Sequence, residues 1–278
     1  MAIGLSTYSF FWQWHETADR PASLTDLVVK TAGWGVDLLQ ICDYPLVEAY
    51  TDAQLDALLE TADAYGVRFE LGTRGLGTEH LTRYLRLAVH LRAPLVRTMI
   101  RAEEADDAVD LVRAVIADYE RAGVTLAFET YEQVPTRRLL DVVETVGSSR
   151  LGVCLDPGNC VAALETPRST IDLVADRVVN VHVKDFRFTR QGGWVGFTFA
   201  GAPLGEGLLD YDHLVAAAQV HERGLSQIIE HWLVWQGDSA TTCRLEDEWT
   251  QHNLAWLRAR EPRTSEHDSR PDRQPTPA

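Results

Sequence analysis

The sequence lacks three features that would each point to a particular class of protein. No stretch approaches the roughly 20 consecutive apolar residues that a membrane-spanning helix needs. The first residues carry no basic segment ahead of an apolar one, so no signal peptide is expected. The four cysteines form no Cys-x-x-Cys pair, a pattern typical of reduced thiols. These absences predict a cytoplasmic protein with no membrane partner.

Basic residues are also in short supply. The chain has 26 Lys and Arg against 41 Asp and Glu, and its formal net charge is -15. An acidic surface repels phosphate backbones, and no basic stripe offsets that repulsion. We therefore predict no nucleic-acid partner and favour a small molecule that is recognised locally.

The chain does contain a regular alternation of short apolar strands and helices. Parallel strands need a crossover of a dozen or more residues, usually a helix, and eight such units form a closed barrel. The pattern therefore predicts one α/β domain, a (β/α)8 TIM barrel over residues 1–260. The eight predicted strands cover residues 3–9, 36–43, 67–72, 95–100, 125–130, 151–156, 178–185 and 227–232.

A doubly wound open sheet is the competing architecture. It would need a glycine-rich turn after the first strand, where the aromatic segment 10–14 follows instead. Two segments lie outside the eight units. Residues 186–200 alternate around a Gly-Gly pair, which predicts a small hairpin over the barrel mouth. Residues 261–278 have almost no apolar side chains, so we expect this tail to be disordered.

Ionisable side chains collect at the carboxyl ends of the predicted strands, where α/β barrels carry their functional face. Side chains alternate along a strand, so His182 and Lys184 share one face of an otherwise apolar run. Burying two such groups is unfavourable unless something pairs with them. The residues at these ends are Glu70, Arg97, Glu129, Asp156, His182, Lys184 and Glu230.

Four of these residues come from strands that are neighbours in the predicted barrel: Glu129, Asp156, His182 and Glu230. Three carboxylates and an imidazole at one point would repel one another unless a cation neutralised them. Their oxygen-rich donor set favours manganese, magnesium or cobalt over a purely structural zinc.

The sequences around these four residues resemble the metal-ligand motifs of the xylose isomerase-like TIM barrel superfamily, which includes the sugar phosphate isomerase/epimerase family. They are Glu129 in Leu-Ala-Phe-Glu-Thr, Asp156 in Cys-Leu-Asp-Pro-Gly-Asn, His182 in Asn-Val-His-Val-Lys-Asp, and Glu230 in Ile-Ile-Glu-His. The motifs occur in the family's order, and residues 203–211 are similar to its loop before the seventh helix. The resemblance spans residues 3–260 and implies that these four side chains bind a divalent metal, most simply manganese.

The resemblance also implies a metal-dependent sugar isomerase or epimerase that acts on a ketose through an enediolate. Glu129 and Glu230 would then serve as its acid/base pair. Many epimerases have a histidine three residues after the metal-binding aspartate, whereas this chain has Asn159, which cannot shuttle a proton. Lys184 and Arg97 suggest an acidic sugar. The alternative is therefore a decarboxylase of a 3-oxo sugar acid, or a C-glycoside-cleaving relative; a non-catalytic sugar-binding barrel is a weaker one.

We expect Glu70, Arg97, Asn159 and Trp12 to bind the sugar or sugar acid, and Lys184 to join the two glutamates in catalysis. Several interpretations remain open. Arg97 could pair with Glu70, and Lys184 with a neighbouring carboxylate. The aromatic segment that contains Trp12 fits either a sugar-stacking wall or the interface of a homo-oligomer.

Overall fold

The structure, a computed structural model, describes residues 2–262. Eight parallel strands close into a barrel in the order β1-β10-β7-β6-β5-β4-β3-β2, as predicted. The barrel strands are β1 (Ile3–Ser6), β2 (Leu38–Cys42), β3 (Arg68–Gly72), β4 (Leu95–Thr98), β5 (Thr125–Glu129), β6 (Leu151–Leu155), β7 (Val178–Val183) and β10 (Ser226–Ile229). Apart from its first two residues, the predicted disordered tail lies outside the described residues.

Helices cover the outside of the barrel. They are α1 (Phe11–Trp14), α2 (Leu24–Gly33), α3 (Asp52–Tyr65), α4 (Thr78–His90), α5 (Ala108–Arg113), α6 (Ile116–Ala122), α7 (Thr136–Val146), α8 (Pro167–Val174), α9 (Tyr211–Ala218) and α10 (Ser239–Arg258). Among residues 2–262, none of these helices has both the length and the apolar character to cross a membrane.

Local sequence explains where several elements begin and end. Thr51 and Gln54 form a capping box at the start of α3, and Gly66 ends that helix with a φ of 70°. The first strand is shorter than predicted and stops at Ser6. The Ser6 hydroxyl accepts a hydrogen bond from the backbone N–H of Tyr8 at 3.1 Å, which turns the chain into a 3-10 helix at Thr7–Phe10.

The barrel separates an apolar outer layer from a polar interior. Outward side chains such as Phe69, Phe128 and Val181 belong to the main hydrophobic core between strands and helices. A separate small cluster of Leu95, Ala127 and Cys154 fills part of the interior. Much of the remaining interior is polar and buried. It includes Gln40, Glu70, Arg97, Glu129, Asp156, Asn180, His182, Lys184 and Glu230.

The predicted hairpin is confirmed. Its strands, β8 (Asp185–Arg190) and β9 (Phe197–Ala202), are antiparallel and pair Asp185 with Ala202 at the barrel end. The hairpin is inserted between the seventh barrel strand, β7, and helix α9.

The loop that follows the hairpin is held by the carboxylate of Asp185, which is buried. Its Oδ1 accepts hydrogen bonds from the backbone N–H groups of Phe186 and Leu209 at 2.8 and 2.9 Å. Its Oδ2 accepts from those of Gly205 and Gly207 at 3.0 and 2.9 Å. A Cβ at Gly207 would overlap this carboxylate, so the loop requires glycine there.

We predict that Asp185→Asn lowers the free energy of unfolding by about 2–4 kcal/mol, because an amide nitrogen cannot accept a hydrogen bond and buried donors lose their partner. Urea denaturation of the purified variant measures the change. The exposed Asp176, changed to Asn, is the matched control and should keep wild-type stability. Equal stability of the two variants would contradict this role for Asp185.

Candidate metal centre and active site

Four of the predicted side chains converge at the carboxyl end of the barrel. Glu129 ends β5, Asp156 follows β6, His182 lies on β7 and Glu230 follows β10. One ligand atom from each lies within 4.8 Å of the others, and all four side chains are buried. His182 Nδ1 lies 3.5 Å from Glu129 Oε1, 3.8 Å from Asp156 Oδ2 and 3.5 Å from Glu230 Oε2.

Hydrogen bonds below the cluster orient the imidazole of His182. The carboxylate of Glu70 accepts from Gln40 Nε2 at 3.1 Å, from Asn180 Nδ2 at 3.0 Å and from the Ser226 hydroxyl at 2.7 Å. Because the amide nitrogen of Gln40 donates to Glu70, its Oε1 faces His182 and accepts a hydrogen bond from Nε2 at 2.8 Å. The imidazole therefore donates through Nε2, and its Nδ1 faces the three carboxylates, where it is the nitrogen that a metal ion would bind.

Glu70 lies deeper in the barrel than predicted. We predicted a substrate-binding position at the barrel mouth, but Glu70 is the middle residue of β3 and pairs in register with Gln40. Its side chain therefore lies one layer deeper, in the barrel interior. It supports His182 through Gln40 and does not line the cavity above the cluster.

The four side chains fit a divalent cation. His182 Nδ1 and Glu230 Oε1 are buried and make no hydrogen bond, whereas buried polar atoms are normally paired. Burial raises the pKa of a carboxyl group. The positive charges of Lys184 and His182 outweigh that effect, and they lower the pKa of Asp156 to about 2 and also lower the pKa of Glu230. Burial also lowers the pKa of His182, but nearby anionic groups raise it overall. Three carboxylates and one imidazole form a donor set that a hard or borderline metal ion suits.

Lys184 lies beside the cluster, as the alternation along β7 predicted. Its Nζ is 2.6 Å from Asp156 Oδ2 and 3.3 Å from Glu230 Oε2, and it lies 4.2 Å from the ring centroid of Trp232. Although burial opposes the charged form, these carboxylates raise the pKa of Lys184 well above its usual value. Lys184 therefore pairs with Asp156 and Glu230. It does not pair with the neighbouring Asp185, whose carboxylate holds the loop.

Arg97 is buried on the opposite side and orients Glu129. Its Nε lies 2.5 Å from Glu129 Oε2, and its Nη1 lies 3.3 Å from Asp43 Oδ1 and donates to the Thr73 carbonyl at 2.8 Å. The open alternative, an ion pair with Glu70, does not form. Burial acts against its charge, but Asp43 and other anionic groups raise the pKa of Arg97.

Asn159 connects the two halves of the site. Its Nδ2 donates to Glu129 Oε1 at 2.7 Å, and its Oδ1 accepts from Lys184 Nζ at 3.3 Å. Its backbone N–H, with that of Gly158, donates to Asp156 Oδ1 and fixes that carboxylate. The amide thus contacts one carboxylate of the cluster and one ammonium group at the same time.

A cavity of about 480 Å³ opens above these groups. Trp12 forms part of its wall and is fixed by a hydrogen bond from its Nε1 to the Leu233 carbonyl at 2.7 Å. Phe199 reaches the cavity from the hairpin, in contact with Trp232 at a centroid distance of 5.5 Å. The predicted hairpin therefore contributes a residue to the cavity wall.

Several residues that line this cavity were not predicted from the sequence, among them Asp43, His231 and Glu246. Asp43 follows β2, so its position at a strand end was a usable signal. It adopts a φ of 48°, which is uncommon for a residue other than glycine. Its carboxylate accepts from Arg74 Nε at 2.9 Å, so Arg74 closes the rim instead of entering the cavity floor.

Comparison with known proteins finds a relative of high similarity. The 3-oxo-isoapionate decarboxylase of Pectobacterium atrosepticum is 51% identical to this chain over 266 residues, which cover 94% of this chain and 97% of that protein.

Solved structures share the fold at low sequence identity. D-psicose 3-epimerase from Clostridium cellulolyticum H10, solved with D-tagatose, matches with a TM-score of 0.71 and 16% identity, covering 93% of this chain and 99% of the epimerase. The IolI protein, solved with a bound zinc atom, matches with a TM-score of 0.66 and 16% identity over 92% of this chain and 99% of its own.

The family model described as xylose isomerase-like TIM barrel matches residues 28–260, which include all four side chains of the cluster. Together with the closed eight-stranded barrel, this match confirms the resemblance inferred from the four motifs. The chain belongs to the xylose isomerase-like TIM barrel family.

Proposed function

We propose that this protein is a divalent-metal-dependent decarboxylase of a 3-oxo sugar acid, with 3-oxo-isoapionate as the first substrate to test. The observation that carries the proposal is its 51% identity, over nearly the whole chain, to a protein named 3-oxo-isoapionate decarboxylase. Two features of the site support it: the buried ammonium of Lys184 beside the cluster, and an amide, Asn159, where many epimerases have a histidine.

Decarboxylation of a 3-oxo acid makes simple demands on a site. The bond between C1 and C2 breaks, its electron pair moves toward the C3 carbonyl oxygen to give an enolate, and carbon dioxide leaves. C2 then takes up one proton. A bound divalent metal supplies positive charge that stabilises negative charge on substrate oxygens. Decarboxylation therefore needs an acid but no base, whereas epimerisation needs a base to remove a proton from carbon.

The chain's own groups match that demand. Lys184 carries a proton at the cavity floor, and its raised pKa keeps it as an ammonium group at neutral pH. We assign it the protonation of C2, followed by recovery of the proton from solvent. Arg97 and Asn159 hold Glu129 in place, and Trp12 offers the sugar chain an aromatic wall.

The four-residue cluster is the proposed metal site, with manganese as the first metal to test and magnesium or cobalt as alternatives. The carboxylate-rich donor set supports these hard cations. The neighbour solved with zinc indicates that zinc belongs in the same comparison.

An isomerase or epimerase of a ketose is the second candidate. Glu129 and Glu230 converge as an acid/base pair would, and one structural neighbour is a D-psicose 3-epimerase. At 16% identity that likeness concerns the fold alone. A sugar-binding barrel without catalysis is the third candidate and would bind ligand with no turnover.

We predict that the manganese-loaded protein releases one equivalent of carbon dioxide from 3-oxo-isoapionate and, in D₂O, places one deuterium on the carbon that lost the carboxylate. Coupled carbon dioxide detection and proton NMR measure both. The same preparation should neither epimerise D-tagatose nor exchange its carbon-bound protons. Epimerisation without release of carbon dioxide would favour the second candidate instead.

We predict that Lys184→Met lowers kcat for carbon dioxide release by about 10²- to 10⁴-fold, the range typical of a lost general acid. The bound metal, measured by elemental analysis, should stay near one equivalent because Lys184 is not one of the four proposed ligands. Arg244→Met, which removes an exposed cation paired with Glu248, is the matched control and should keep wild-type kcat. Wild-type kcat in a folded Lys184→Met variant would exclude Lys184 as the proton donor.

A further inference from the structure

Two further polar residues, His231 and Glu246, border the cavity beside the four-residue cluster. His231 directly follows Glu230, and Glu246 lies on α10, which packs against the barrel next to α1. Both residues line the same cavity as the cluster. The proposed reaction assigns no role to either residue.

His231 is a buried imidazole without a partner. Only 3% of the residue is exposed, and neither Nδ1 nor Nε2 makes a hydrogen bond. Its ring lies against that of Trp249, with centroids 5.7 Å apart and planes at 68°. Leaving a buried polar group unpaired is unfavourable by about 1–3 kcal/mol, and such groups in proteins normally find a partner. Because His231 is one of the residues that line the cavity, a ligand bound there is the natural partner for its ring nitrogens.

Glu246 is a buried carboxylate with remaining capacity for hydrogen bonds. Its Oε1 accepts from the backbone N–H of Trp12 and its Oε2 from Gln13 Nε2, both at 3.0 Å. A carboxylate has about four acceptor sites, so roughly two remain. Burial also raises the pKa of Glu246 to about 8, so near neutrality the group can donate as well as accept.

The two side chains border one corner. Glu246 and Trp249 are three residues apart on α10 and therefore share a helix face, and Trp249 contacts His231. Trp12, whose backbone N–H donates to Glu246, and Leu233, two residues after His231, also line the cavity and give it apolar surface. Two polar groups on an apolar wall suit a ligand that carries hydroxyl groups on a carbon chain.

We propose that His231 and Glu246 form a hydroxyl-binding subsite that selects hydroxylated sugar acids over simple 3-oxo acids. The inference rests on the proposed function for its substrate class, but its geometry is independent of the reaction. A site built to hydrogen-bond a hydroxyl group discriminates strongly against analogues that lack it, because its own polar groups are then left unpaired.

The kinetic test uses His231→Phe, which keeps the shape of the ring and removes both nitrogens. We expect kcat/KM for 3-oxo-isoapionate to fall on the order of 10- to 100-fold, mainly through KM. His231→Gln, which restores a donor and an acceptor, should recover part of the loss. If both residues hold the same ligand group, their effects are not independent. The double variant His231→Phe/Glu246→Gln should therefore lose less kcat/KM than the product of the two single losses. His90→Phe on the outer surface is the control and should match the wild type.

A binding test on the wild-type protein does not depend on turnover or on the stability of variants. In the magnesium-loaded protein with ¹⁵N-labelled histidine, the ring nitrogens of His231 should shift on addition of D-tagatose, a hydroxylated ketose, and stay in place with acetoacetate, which has no hydroxyl group. Unmoved ring signals with both ligands, or unchanged kcat/KM in a folded His231→Phe variant, would overturn the subsite. If D-tagatose moves the signals but no carbon dioxide is released, the subsite stands and the proposed reaction falls.

Discussion

The mutual repulsion of three buried carboxylates is the constraint on which the rest of the structure depends. Glu129, Asp156 and Glu230 all face His182 in a region shielded from water, where like charges interact strongly. The chain holds them together by placing each at the end of a rigid barrel strand. Closing the barrel therefore also brings the three negative charges together, and a divalent cation suits the space between the four side chains.

The remaining polar groups work as supports around that centre. Below it, Glu70 and Gln40 orient the imidazole of His182. Beside it, Lys184 and Arg97 offset negative charge while each stays paired with a carboxylate. These supporting groups account for the polar side chains inside the barrel. The main apolar core lies between the strands and the helices. A site held this firmly suits electrostatic stabilisation of an anionic intermediate.

Much of this arrangement could be predicted from sequence, because it follows from periodicity. Alternating strands and helices indicate the barrel, and the end of each strand indicates which side chains share its mouth. The depth of a side chain in the barrel is harder to predict. Glu70 points into the barrel as expected, but it lies one layer below the mouth because strand β3 continues for two more residues. Glu246 could not be found, because its place depends on how α10 packs against α1, a contact between distant parts of the chain with no local signal.

The most direct test of the account is an anomalous difference map from a crystal of the manganese-loaded protein. We predict a single strong peak enclosed by the four side chains, bonded to His182 Nδ1 and to one or two oxygens of each carboxylate at distances of about 2.0–2.3 Å. A map with manganese supplied that shows no peak there, or that shows the imidazole turned away from the carboxylates, would contradict the shared metal centre and the chemistry built on it.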